Sequence, residues 1–132
     1  MLDTLNTPQP PPQANDQPAV WDLVLADLPG NVGPEIAALL EADIRERDGA
    51  GAKKYGVRLQ PFNGRDWMVD AYQECLDLLV YARQGMAEEG SEYWGDPVAL
   101  DVAGRTYTRA LESAVDLRTA LKARDVYIAG SL

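Results

Sequence analysis

The stretch DWMVDAYQECLDLLVYARQ (Asp66–Gln84) decides the fold, because its apolar residues and its acids both recur at helical spacing. It holds neither glycine nor proline, and Asp66 stands where an N-cap is wanted, so a helix is expected to run to about Gln84 or Glu88. On a wheel of about 100° per residue, Asp70, Glu74 and Asp77 fall within a sector of roughly 60°, and Tyr81 continues the line. Trp67, Leu78 and Ala71 flank that sector on one side, and the far side carries Leu76, Val69 and Val80. This patterning predicts a helix covered on most of its surface. Its one base, Arg83, points away from the acids. Like charges one turn apart repel, and acids set in a largely apolar helix are costly unless a cation neutralises them. Asp70 lies in the first turn, where the helix dipole alone favours an acid. The pair that needs explaining is Glu74/Asp77.

Upstream, Pro34 suits the first residue of another helix, along which Ile36, Leu39, Leu40, Ile44 and Arg47 recur at helical spacing. Gly49-Ala50-Gly51 is expected to stop or kink it. Asp43 lies seven residues after Ile36 and four after Leu39, so it continues the apolar stripe, with Glu46 one turn further on the same side. VWDLVLADLPGN (Val20–Asn31) reads as a short apolar helix or turn stopped by Pro29-Gly30, and Lys53–Arg65 as a loop with a turn at Asn63-Gly64. Gly90 to Asp96 connects to a last helix, with Asp96 as its cap and Pro97 as its first residue. Leu100, Ala103, Tyr107, Ala110, Ala114, Leu117 and Leu121 draw one stripe down that helix. No stretch alternates with period two for long enough to be a strand, and there is no internal repeat. The fold class is all-α, a helical bundle of three main helices plus a short N-terminal one. Five of the nine prolines lie within residues 1–18, which read as an extended, mostly disordered arm ahead of a single domain at 19–132.

Composition narrows the chemistry. The 132 residues carry 12 bases and 21 acids, a formal charge of −9, which argues against a nucleic-acid partner because phosphate contacts need clustered Lys and Arg. There is no histidine, so Ser-His and Cys-His nucleophile systems and His-ligated zinc are excluded. The single cysteine, Cys75, rules out an intramolecular disulfide and reads as a small core residue. No apolar run approaches the roughly 20 residues that span a bilayer, and the first residues lack the order of a secretory signal, so a cytoplasmic protein without a membrane partner is expected.

Hydrolytic chemistry would therefore rest on carboxylates and a hard metal. Two helices each present acids three residues apart, Asp43/Glu46 and Glu74/Asp77. Four oxygen donors without imidazole or thiolate suit Mg²⁺ or Mn²⁺. Mg²⁺ usually completes its shell with water and substrate phosphates, so the constellation points towards a phosphorylated substrate. The competing reading is a solvated acidic face.

The order D-I-R-E (43–46), a spacer of 27 residues and E-C-L-D (74–77) resembles the signature of the all-α nucleoside triphosphate pyrophosphohydrolases, the MazG-like superfamily. Asp43 replaces the usual first Glu, keeping the charge but shortening the reach. Residues 53–84 are similar to short phage-encoded members in which a K-Y-G-x-x-L-x-P-F-N-G-R-D loop leads into the second acidic helix. VWDLV (20–24) also looks like their usual start, although extra residues at about 26–40 follow it here. The resemblance covers about residues 20–85. It implies hydrolysis of a nucleoside triphosphate to the monophosphate and pyrophosphate, with divalent ions and a homodimer or homotetramer completing the bundle. A subgroup from phages that replace adenine with 2-aminoadenine, and that converts dGTP to dGMP, resembles this chain in size.

In that reading Asp43, Glu46, Glu74 and Asp77 hold Mg²⁺, and Glu46 is the candidate to accept a proton from the attacking water. Lys53, Lys54 and Arg65 are candidates for phosphate oxygens, with loop solubility as their alternative role. Tyr55, Phe62 and Asn63 are candidates to stack on or read the base; loop packing is the competing role of the aromatics, favoured for Phe62, and turn geometry that of Asn63. Tyr93 and Trp94 suggest a lid or an oligomer contact, and Arg105, Arg109 and Lys122 a reach to phosphate from a neighbouring subunit. Two rivals stand beside this: a housecleaning enzyme for dUTP or a damaged nucleotide, and a non-catalytic helical oligomerisation module.

Overall fold

A computed structural model describes residue 5, residues 7–88 and residues 97–131. Four helices account for most of them: α1 (Val20–Asn31), α2 (Pro34–Tyr55), α3 (Trp67–Ala87) and α4 (Pro97–Ser131). No strand occurs among the described residues, so the all-α class expected from the sequence is what is found. The expectations for Tyr93, Trp94 and the Asp96 cap lie outside the described residues. The chain divides into two compact units, residues 8–65 and residues 1–7 with 66–132.

The first unit holds α1 and α2. Val20 opens α1 with its N–H donated to Leu59 O at 2.8 Å, which satisfies one of the orphan donors at a helix start. Pro29 lies inside α1 rather than ending it; the helix closes at Asn31, where the Val32 N–H reaches Leu28 O. α2 begins at Pro34, as expected, but it does not stop at Gly49-Ala50-Gly51. Nothing crowds those two glycines, and the helix runs on until Gly56, whose φ of +76° and N–H to Ala52 O form the terminating cap. Lys53, Lys54 and Tyr55 therefore belong to the last turn of α2, not to a loop. Ala37, Ile44, Asp48, Gly51 and Ala52 form its half-buried face.

Between Pro10 and Gln17 the Pro-rich arm is hydrogen-bonded to the segment 60–65. Gln13 N–H donates to Asn63 O at 2.9 Å, and Gln60 and Asn15 exchange hydrogen bonds in both directions. The polar composition that suggested disorder supplies these amide partners.

The second unit is a helical hairpin. Asp66 caps α3 as the sequence predicts, its Oδ1 accepting from the N–H groups of Met68 and Val69. Its Oδ2 meets Arg124 of α4 at 2.8 Å, a pairing with no local signature in the sequence. Cys75 Sγ donates to Ala110 O, and a Cβ on Gly85 would stand 3.2 Å from that of Ala103, so small residues let the two helices approach closely. Val69 and Leu121 are the most deeply buried large side chains. Ala110, Ala114 and Leu121 are buried and Leu100, Ala103, Tyr107 and Leu117 half-buried, which matches the stripe read from the sequence. The breadth expected for the covering of α3 does not hold: Val69 and Ala82 are its only buried residues. One neighbouring helix covers one face, and Trp67, Leu76, Leu78, Val80 and Tyr81 stay exposed. No described helix is long and apolar enough to cross a membrane.

Candidate functional site

The acids of interest occupy corresponding settings on two helices. On α2, Asp43 and Glu46 share a sector of about 80° with Ile36 and Leu39 at 100° per residue. All four are exposed, Ile36 by 53% and Leu39 by 60%, so this face mixes uncovered apolar bulk with negative charge. On α3, Glu74 and Asp77 are likewise exposed, with Trp67, Leu78 and Tyr81 uncovered around them, on the side opposite the seam made by Cys75 and Ala82. Asp70 is half-buried in the first turn.

Among the described residues, neither pair is spent on an ion pair within its own unit. On α2 the ion pairs go to other acids: Arg45 takes Glu41, and Arg58 takes Asp48 and Asp22. At the start of α3 it is the cap residue Asp66 that pairs, with Arg124. Each of the two motifs thus offers two carboxylates about 5–6 Å apart at Cβ, a spacing that suits shared oxygen ligation of a hard cation. Among the described residues no group of three or more Asp, Glu or Cys side chains is gathered as a metal site. The donor chemistry fits Mg²⁺; a four-carboxylate cage requires both pairs together.

The candidate phosphate and base contacts fall into two places. Lys53, Lys54 and Tyr55 are all exposed at the C-terminal end of α2, where the helix dipole favours the two lysines, and Lys54 Nζ lies 5.2 Å from the centre of the Tyr55 ring. Asn63 is buried to 8% exposure, and its Oδ1 accepts the Arg65 N–H at 3.0 Å, a contact that shapes the turn. Arg65 is half-buried and donates from Nη1 to Pro10 O. Phe62 does not pack in the loop at all: it is 88% exposed, with φ +56°. Arg105 on α4 is paired with Asp101 one turn away, and Arg109 and Lys122 are exposed.

Comparison with known protein families, curated proteins and solved structures finds no match to this chain.

Three residues that organise this region carry no motif. Arg58 donates bidentately to Asp22 of α1 at 2.7 and 3.1 Å, and also to Asp48 of α2 at 2.7 and 3.0 Å. Hydrogen bonding to Arg58 holds the Asp22 carboxyl below the usual carboxylate range, and the two acids raise the Arg58 guanidinium above its own. Asp48 had a legible signal, since it follows Ile44 by one turn on the half-buried face. Asn15 and Gln60, which join arm to loop, had none beyond their amide chemistry.

Proposed function

We propose that this chain is a metal-dependent nucleoside triphosphate pyrophosphohydrolase, converting a (deoxy)nucleoside triphosphate to the monophosphate and pyrophosphate. The observation that carries the reading is that both acid pairs lie on exposed faces among uncovered apolar side chains, with Arg45 and Arg58 committed to other acids. A solvated acidic face has no need of Ile36, Leu39, Trp67 or Tyr81. A face awaiting a cation and a covering surface accounts for both kinds of residue.

In this reading Asp43, Glu46, Glu74 and Asp77 hold Mg²⁺, with Mn²⁺ as a substitute. A cation held there would neutralise phosphate charge and make a coordinated water more acidic. Glu46 accepts the proton as water attacks the α-phosphorus, and the bond from that phosphorus to the α–β bridging oxygen breaks, releasing pyrophosphate. Lys53, Lys54 and Arg65 bind phosphate oxygens, and Tyr55 lies beside the two lysines at the end of α2. A homodimer or homotetramer covers the apolar faces. Within this class, dGTP conversion to dGMP in phage nucleotide metabolism is the favoured reaction, in the host cytoplasm; dUTP or a damaged nucleotide is the alternative substrate.

A second reading, a non-catalytic helical oligomerisation module, is favoured by exposed Val98, Val102, Val115 and Val126 along α4, a helix that carries neither acid pair. Incubation with each dNTP and Mg²⁺, followed by assay for pyrophosphate, separates the two. The enzymatic reading requires release from at least one triphosphate and its loss in Glu74→Gln. A panel ranked by kcat/KM then identifies the substrate.

A further inference from the structure

We propose that the N-terminal arm is an intrachain strap that fixes the turn around Phe62 and presents its ring as the stacking surface for a nucleotide base. The choice of ligand rests on the nucleotide reading above.

The strap addresses three successive carbonyls. The Asn15 side-chain amide donates to Pro61 O at 2.8 Å and to Phe62 O at 3.1 Å, and Gln13 N–H donates to Asn63 O at 2.9 Å. Gln60 returns the contact: its Nε2 donates to Asn15 O and Gln17 O, and its Oε1 accepts the Asn15 N–H. Asn15 Oδ1 accepts from Gln17 N–H at 2.8 Å, which fixes the amide's orientation. Beyond the turn, Arg65 Nη1 reaches Pro10 O, and the Gln13 side chain lies against Gly64, 3.5 Å from where a Cβ would stand.

The product of this bonding is an uncommon backbone state. Phe62 has φ +56°, a left-handed conformation that is unfavourable for a bulky side chain and persists where its surroundings over-determine it. Asn15 supplies that determination by holding the carbonyls on both sides of the Phe62 backbone unit. The strained residue is not recovering burial, since its ring is 88% exposed while its neighbour Asn63 is buried. A solvent-facing aromatic ring carried on a backbone fixed in this way is open to a planar base, and stacking tolerates any base. Asn15 is then a positioning residue and Phe62 the contact.

The test uses the full chain with Asn15→Ala, Phe62→Ala and the double variant, and Gln60→Ala as a second disruption of the strap. Amide hydrogen exchange at Gln13 and Arg65 is followed without nucleotide, and binding of the four α,β-imido deoxynucleoside triphosphates with Mg²⁺ by calorimetry. Asn15→Ala and Gln60→Ala are expected to speed both amides at least about tenfold at unchanged helical content. Asn15→Ala and Phe62→Ala should each weaken binding roughly five- to tenfold, and the double variant no more than either alone. Unchanged exchange in both strap variants overturns the proposal, as do multiplicative losses in the double variant or no binding of any analogue. If the analogues bind and follow this pattern while no natural triphosphate yields pyrophosphate, hydrolysis is refuted and the strap stands.

Discussion

Arg58 and Asp22, 36 positions apart, meet in a two-pronged contact of 2.7 and 3.1 Å, and the same guanidinium also grips Asp48. One side chain thereby ties the first turn of α1, the later half of α2 and the loop that follows. Because the pairing lowers the Asp22 pKa from 3.8, its stabilising effect is fully present above that value and is lost as pH falls through the lower folded pKa. Arg58→Met should melt below the wild type at neutral pH, with the gap closing only in acid, as the carboxyl protonates. Thermal melts by circular dichroism across pH check this; a gap independent of pH would mean that packing, not charge, matters at Arg58. The contact is exposed, so added salt should narrow the gap as well.

Asp66 combines two tasks that substitution can separate. Its Oδ1 caps α3 and its Oδ2 pairs with Arg124. Asp66→Ala removes both and should cost about 1–2 kcal/mol, most of it the cap. Asp66→Asn retains a cap acceptor and should cost under about 1 kcal/mol, as expected of a partly exposed pair. Urea denaturation of both variants measures the difference, and equal losses would assign the whole effect to the ion pair.

Glycines within the helices should respond unequally to added side chains. Gly49 and Gly51 sit inside α2 with nothing within 4 Å of where a Cβ would stand, so Ala at either should stabilise by about 0.5–1 kcal/mol through backbone entropy. Gly85 faces Ala103, where a Cβ would approach to 3.2 Å. Gly85→Ala should therefore gain less than the α2 variants, and Gly85→Leu should destabilise by about 1–3 kcal/mol through overpacking. A Gly85→Leu variant as stable as wild type would show that the α3–α4 seam yields easily.

The same positions explain what was legible in the sequence. Periodicity and caps gave α3, its Asp66 start and the α4 stripe, because those depend on neighbours within one or two turns. The glycines misled the reading of α2: a glycine costs a helix only about 1 kcal/mol, and the flanking alanines and lysines carried it to Gly56. Burial of α3 was overestimated because apolar flanks report what a face would tolerate, not whether a neighbour covers it. Arg58, Asn15 and Gln60 were missed because each acts over 10 to 47 positions, through partners that no local window contains. Of the candidate site, the residue types and the helix that carries each acid pair were readable; a site built from both pairs would depend on geometry that no local window contains.

The acid pairs themselves distinguish a metal site from a solvated face without any activity assay. Glu74 and Asp77 repel one another across a single turn, as do Asp43 and Glu46, by a few tenths of a kcal/mol each. On a merely solvated face, Glu74→Gln should raise the melting temperature slightly, and Mg²⁺ should act no differently from NaCl of matched ionic strength. At a cation site, Mg²⁺ at about a hundred times its dissociation constant stabilises by about 2.7 kcal/mol, beyond any matched salt effect. Glu74→Gln, Glu46→Gln and Asp77→Asn should then each erase most of that increment while leaving the metal-free melt unchanged or higher. Removal of the divalent ion with EDTA should abolish pyrophosphate release, and Glu46→Gln should lower kcat by about 10²–10⁴-fold if that carboxylate takes the proton. Differential scanning calorimetry with Mg²⁺ against matched NaCl decides the first point, and identical curves would return the four acids to the role of solvated charge.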